Sequence, residues 1–129
     1  MRYLVDSFTW IEYFMGTKRG EKVMAIIEET GIECLVSTIN IAEIYSKSLK
    51  TDGMAKAEER RVFITSRCAI IEVSEHIAVE AAKIDVELKK TVEGWGLADS
   101  IVLATARDKK AKILTGDKHF KGLPEAEMI

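Results

Sequence analysis

The sequence predicts an α/β fold with a central, mainly parallel sheet and helices on both faces. Three observations carry this expectation. Short apolar runs at Tyr3–Val5, Glu33–Val36, Cys68–Val73 and Lys112–Thr115 alternate with segments of helical period. The runs are nearly continuous in apolar character, as strands buried on both faces are. Right-handed crossovers between such strands then distribute the helices over both faces of the sheet.

Each element has a local reason. Tyr3-Leu4-Val5 is the first strand and runs straight into Asp6-Ser7. Thr9-Trp10-Ile11-Glu12 has the S/T-x-x-E form of a capping box, so a short helix is expected to start there and to end at Gly16. A second helix is expected from about Lys18 to Thr30, with Val23, Ile26 and Ile27 as its inner stripe and Gly31 closing it. After the second strand, Ser37 and Thr38 stand where helix caps belong. The third helix should run from about Asn40 to Leu49, since Ile41, Ile44, Tyr45 and Leu49 share one face. Thr51-Asp52-Gly53 reads as a turn, followed by a charged helix from about Met54 to Ser66. Ser74 caps a long helix from about Glu75 to Thr91, with Ile77, Ala81, Ile84 and Leu88 inward. Gly94-Trp95-Gly96 breaks the chain before a helix that starts near Leu97 or Ala98 and ends near Lys109. Its expected inner face is Ala98, Ile101, Val102 and Thr105. Glu127-Met128-Ile129 reads as a short edge strand.

The 129 residues fit one domain spanning residues 1–129. Hydrophobic residues make up 47% and charged residues 31%, which excludes a disordered chain. No apolar run approaches the roughly 18 residues of a membrane span, and no secretory pattern is present, so the expected compartment is the cytoplasm. Cys34 and Cys68 are too few and too far apart for a zinc cluster or a disulfide scaffold, and are expected to be buried free thiols. A disulfide between them fits a hyperthermophilic source. The net charge of −2 does not announce a nucleic-acid binder. Its distribution says more. Lys47–Arg67 holds six Lys/Arg against three acids, and Arg107–Gly122 six against two. Such segments track phosphates or are simply solvated helix faces.

Most of the 21 acids fall on charged helix faces. Four do not. Asp6 and Asp117 each end an apolar strand, Asp99 opens a very apolar helix, and Glu43 lies beside the apolar stripe of the third helix. Singly, each has a structural reading: helix cap or Asx turn for Asp6 and Asp117, a first-turn acid for Asp99, a boundary residue for Glu43. Together they point elsewhere. In a sheet ordered 3-2-1-4-5, an order the residues alone do not dictate, the first and fourth strands are neighbours at the switch point, where α/β sheets bind ligands. All four acids then face one crevice. A buried carboxylate without a partner protonates, so a cluster calls for cations. Oxygen donors suit Mg²⁺ or Mn²⁺, whereas His76 and His119 lack the spacing of zinc ligands. Such an ion suits metal-assisted phosphodiester hydrolysis.

These residues resemble those of PIN-domain ribonucleases, most closely VapC-like toxins of type II toxin–antitoxin pairs. The resemblance rests on Leu4-Val5-Asp6-Ser7, on Ser37 with Asn40-Ile41-Ala42-Glu43-Ile44, on Gly96-Leu97-Ala98-Asp99-Ser100-Ile101, and on Leu114-Thr115-Gly116-Asp117-Lys118-His119-Phe120. It covers nearly the whole chain. It implies a PIN-like α/β/α sandwich, an endoribonuclease activity with Mg²⁺ or Mn²⁺, a homodimer, and a VapB-like antitoxin that covers the acidic pocket. It also implies that Asp6, Glu43, Asp99 and Asp117 form the catalytic acidic site. Asp6 and Asp99 would be the principal metal ligands, with Glu43 and Asp117 as further candidates. Thr115 would help order the site, and Ser7 would be a small polar neighbour of the first Asp.

Readings from other classes stand beside this one. The same fold could serve as a non-catalytic interaction protein whose acidic pocket docks a basic peptide, or as a solitary nuclease in RNA processing. A phosphotransfer or receiver domain fits poorly: Phe8 replaces the second acid of Asp-x-Asp, and the third strand runs into Ser74-Glu75. Trp10, Tyr13 and Phe14 are expected in the core or at a dimer contact, Trp95 packed over the helix start, and His119 at the surface beside the pocket.

Overall fold

The protein is described here by a computed structural model covering residues 1–129. The elements are β1 Arg2–Val5, α1 Ser7–Phe14, α2 Lys18–Ile27, β2 Glu33–Ser37, α3 Thr38–Asp52, α4 Met54–Arg67, β3 Ala69–Ile71, α5 Glu75–Leu88, α6 Leu97–Lys109, β4 Lys112–Thr115 and β5 Ala126–Met128, with a 3-10 turn at Lys118–Phe120. The strands form one sheet in the order β3-β2-β1-β4-β5, and every pairing is parallel. β1 is therefore central, which is why three of its four residues are buried.

Register divides the core into two layers. Leu4 lies opposite Leu35 and Ile113. These side chains meet Ile77, Ala81 and Ile84 of α5 and Val102, Leu103 and Ala106 of α6. One position along, the pleat turns the chain over. Tyr3, Val5, Cys34, Val36 and Leu114 meet Trp10 of α1, Val23 and Ile27 of α2, Ile44 of α3 and Ile64 of α4. Each fully buried aliphatic contributes about 1.5–3 kcal/mol. A slip of one residue between β1 and β4 would invert both layers. No helix is long and apolar enough to cross a membrane.

Four expectations are corrected. First, α1 begins at Ser7 and not at Thr9, because Asp6 is its N-cap. The Thr9 hydroxyl instead donates to the Leu114 carbonyl at 2.8 Å, tying α1 to β4. Glu12 reaches the Thr17 hydroxyl at the head of α2. Second, Cys34 and Cys68 form a disulfide, with Cα atoms 4.6 Å apart. Leu35 pairs with Ala69, so the residue before each of them faces the other across the β2–β3 ladder. Third, the buried face of α6 is broader than predicted: Ser100, Val102, Leu103, Ala104, Thr105 and Ala106 are buried, while Ala98 and Ile101 are only partly so. Packed against α5, β4 and α3 together, this helix is enclosed on most sides. Fourth, α2 and α5 stop three residues early, at Ile27 and Leu88, while α3 extends to Asp52.

The aromatic residues settle as packing groups. Trp10 is fully buried and meets Tyr13, Phe14 and Phe63 of α4. Trp95 packs edge-on against Phe120.

Candidate functional site

β1 and β4 end side by side, and the chain leaves both at the same edge. The Asp6 amide donates to the Leu114 carbonyl at 3.1 Å, the last link between the strands. Beyond it the Asp6 carboxylate is 5% exposed and fully engaged. Oδ1 accepts from the Ser7 amide at 2.8 Å and from Asn40 Nδ2 at 3.2 Å. Oδ2 accepts from the Thr115 hydroxyl at 2.9 Å. Asp6 is thus both the cap of α1 and a member of the acidic cluster. Burial is the main force on its acidity and raises its pKa from 3.8 to about 7. The Thr115 and Ser7 hydrogen bonds oppose that rise, and the charges of Glu43 and Asp117 add to it.

Glu43 comes from α3, which the buried Ser37 caps through the Ile39 amide. The residue as a whole is exposed, but its carboxylate turns inward. Oε1 accepts from the Ser7 hydroxyl at 3.1 Å and from Asn40 Nδ2 at 3.3 Å. Its pKa is raised, mainly by lost hydration, against these two hydrogen bonds and with the help of Asp99 and Asp117. Asp99 stands in the first turn of α6, where Oδ2 accepts from the Gly96 amide at 3.0 Å. Trp95 Nε1 donates to Ser100 Oγ at 2.7 Å, and that hydroxyl donates to Asp85 at 3.2 Å. The Gly-Trp-Gly loop is therefore tied to α5 and α6 beneath Asp99. Thr115 is fully buried and accepts from the Asp117 amide at 2.9 Å while donating to Asp6. Gly116 between them has no room for a side chain, since a Cβ would fall 2.4 Å from the Phe8 ring.

All four predicted acids, with Ser7 and Thr115, lie in one polar network at this edge. The electrostatic coupling runs Asp6 to Glu43 and Asp117, and Glu43 to Asp99 and Asp117. No Lys or Arg pairs with any of the four. The network contains two residues that sequence reasoning did not count among the site residues. Asn40 is fully buried and bridges Asp6 to Glu43. Its position three residues before Glu43, on one helix face, was the available signal. His119, expected at the surface beside the pocket, is half-buried with its ring against the acids: Nδ1 lies 3.1 Å from Asp99 and 3.6 Å from Asp117. Its presence two residues after Asp117 hid this, because only the 3-10 turn folds the ring back.

The donor set fits a hard divalent cation. Ligand atoms of Asp99, Asp117 and His119 lie within 4.8 Å of one another, Asp6 and Glu43 join them through hydrogen bonds and shared charge, and no Lys or Arg offsets the acids. The Asn40 amide aims its nitrogen at the acids, and its Oδ1 has no protein partner.

The basic segments are mostly spent internally. Arg60 pairs with Asp52, Arg61 with Glu58, Lys56 with Glu59 and Arg107 with Glu125, while Arg67 lies over the Phe63 ring at 3.9 Å. Lys118 and Lys121, exposed on the turn that carries His119, make no ion pair.

No curated protein matches this sequence. Among solved structures, the chain is similar to a toxin–antitoxin complex from Klebsiella pneumoniae, with 25% identity, a TM-score of 0.77, and coverage of 98% of this chain and 96% of that one. It also shares its fold with VapBC2 from Rickettsia felis, solved bound to a promoter DNA fragment, at 18% identity and a TM-score of 0.80 over 100% and 99% of the two chains. The sarcin-ricin-loop-cleaving toxin VapC20 from Mycobacterium tuberculosis shares the fold at 15% identity and a TM-score of 0.73, covering 97% and 98%. The PIN-domain family model matches residues 3–126, nearly end to end, and by that match the chain belongs to the PIN-domain family.

Proposed function

We propose that this protein is a metal-dependent endoribonuclease, acting as the toxin of a toxin–antitoxin pair. One observation carries the reading: Asp6, Glu43, Asp99 and Asp117, from four separate elements, share a single polar network at the carboxyl edge of the sheet. A Mg²⁺ or Mn²⁺ ion held there would polarise the scissile phosphodiester and lower the pKa of an attacking water. Asp6 and Asp99 are its principal ligands in this reading, and Glu43 and Asp117 complete the shell or orient water.

The chain's own residues do the rest. Asn40 and Ser7 hold Glu43 toward Asp6, and Thr115 fixes the Asp6 and Asp117 geometries together, which is the positioning such chemistry needs. Burial of Asp6 keeps bulk water from competing for its carboxylate. Lys118 and Lys121, exposed on the turn that follows Asp117, would hold RNA phosphates. The uncompensated negative charge also suits a basic side chain from a VapB-like antitoxin, and antitoxin complexes are among the similar structures. A homodimer and a cytoplasmic location belong to the same proposal, as does a single domain over residues 1–129.

Purified protein with Mn²⁺ is expected to cut single-stranded or looped RNA, and Asp6→Asn and Asp99→Asn to abolish cutting without unfolding. If wild type cuts no RNA, while calorimetry shows a basic peptide binding the acidic pocket, the docking-module reading replaces this one.

A further inference from the structure

The geometry points to His119 as a direct ligand of the bound cation, giving one corner of the site a mixed nitrogen–oxygen donor set that favours Mn²⁺ over Mg²⁺. This rests on the cation-site reading above and specifies its metal. The donor atoms of Asp99, Asp117 and His119 all lie within 4.8 Å of one another. The separations of Nδ1 from Asp99 Oδ2 and Asp117 Oδ1, 3.1 and 3.6 Å, match the edge between adjacent ligands of an ion with bonds of about 2.1–2.3 Å.

The ring is held in that pose from three sides. The His119 amide donates to Asp117 Oδ1 at 2.9 Å, which folds the residue back over the turn. Phe120, the next residue, is fully buried against Trp95 and anchors the backbone. On the far side the Gly94 backbone closes over the ring. A Cβ at Gly94, whose φ is +78°, would stand 3.0 Å from His119 Nε2. Nε2 is therefore covered by the glycine loop, and Nδ1 is the nitrogen presented to the acids. Without an ion, an Nδ1–H hydrogen bond to Asp99 holds the ring, and loss of that proton would free the Nδ1 lone pair for a cation lying to one side of the two atoms.

The donor chemistry sets the preference. Mg²⁺ binds oxygen and keeps its waters, whereas imidazole nitrogen suits first-row transition dications. An imidazole in the first shell thus costs Mg²⁺ and helps Mn²⁺. Carboxylate oxygens suit both ions, so the imidazole adds to whatever preference they set.

The test uses metal-stripped full-length protein and Mn²⁺ itself. Pulsed electron paramagnetic resonance of bound Mn²⁺ should show ¹⁴N coupling from one imidazole, and calorimetric competition should show Mn²⁺ binding at least about tenfold tighter than Mg²⁺. His119→Asn and His119→Ala should lose the nitrogen coupling and about tenfold in Mn²⁺ affinity, with Mg²⁺ affinity changed less than about threefold. Thermal melts of both variants check folding, and Asn keeps a polar group if Ala melts early. Mn²⁺ bound in an Asp99-dependent way but with no nitrogen coupling overturns the inference and spares the cation site. Equal losses for both ions overturn it too. Mn²⁺ binding that survives Asp99→Asn, or no Mn²⁺ binding at all, overturns the cation-site reading and this inference with it.

Discussion

Neutralising Asp6 should stabilise the fold while removing activity. The carboxylate is buried, and its pKa rises from 3.8 in the unfolded chain to about 7 in the folded one. The native state therefore holds its proton more tightly than the unfolded state does. Between about pH 4 and pH 7 the native state binds more protons, so stability falls as pH rises through this window. The penalty is complete above the folded pKa and absent below the unfolded one. A rise from 3.8 to about 7 corresponds to about 4 kcal/mol in metal-free protein. Asp6→Asn removes the ionisation and keeps the shape. Its carbonyl can still accept from Ser7 and Asn40, and its amide can donate to the Thr115 hydroxyl. In EDTA the variant should match wild type near pH 4 and exceed it by up to about 4 kcal/mol at pH 8. For 129 residues, with an unfolding entropy of about 2.1 cal/mol/K per residue, that is a gap of about 15 °C in Tm. Saturating Mn²⁺ at about 100 times its Kd should return about 2.7 kcal/mol to wild type and narrow the gap. Thermal melts followed by circular dichroism from pH 4 to pH 8 measure it. A gap that does not grow with pH, or a variant less stable than wild type at pH 8, would refute the assignment of a buried, destabilising carboxylate.

Other residues give independent checks. The Cys34–Cys68 bond closes a loop with a sequence separation of 34, worth about 4 kcal/mol of chain entropy. Cys34→Ser/Cys68→Ser should melt more than 10 °C lower by roughly the same conversion, and wild type in dithiothreitol should melt with it. Thr115→Val removes both a donor to Asp6 and an acceptor for the Asp117 amide. It should cost about 1–3 kcal/mol of stability and about 10–100-fold in Mn²⁺ affinity, read by calorimetry. Replacing Lys118 and Lys121 with Ala should raise KM for RNA, leave kcat near wild type and flatten the salt dependence of binding. An unchanged salt slope would place the RNA path elsewhere.

Much of the fold can be read from the chain because burial and periodicity agree along it. Leu4 and Val5 read as a doubly buried strand, and β1 is central. The errors arise where one residue serves two purposes. The Thr9-to-Glu12 spacing imitates a capping box, yet Asp6 caps the helix and Thr9 is drawn to β4. Asp6 and Asp117 looked like either local caps or site residues, and the structure makes each a cap that also joins the cluster. Asn40 and His119 were left without a site role for a different reason. Each has a partner close by in sequence, Glu43 for Asn40 and Asp117 for His119, but the contacts that draw them into the site, Asn40 to Asp6 and His119 to Asp99, join distant segments. The disulfide belongs to the same class. Cys34 and Cys68 look like two unrelated small hydrophobes until β2 and β3 are known to lie side by side in register.

The pairing of β1 with β4 has a consequence for how the molecule comes into being. Tyr3 aligns with Lys112, so the central seam of the sheet closes only after more than 100 intervening residues have been made. Asp6 leaves the ribosome more than 100 residues before Thr115 and Asp117. A nascent or truncated chain that stops short of β4 lacks the hydroxyl that steadies Asp6 and the acid that faces it. Closure of so long a loop is slow compared with local helix formation. Any cutting activity must therefore wait for β4 and the residues up to Asp117. On the proposed reading, no active nuclease exists before β4 is made, and an antitoxin need only meet chains that carry it.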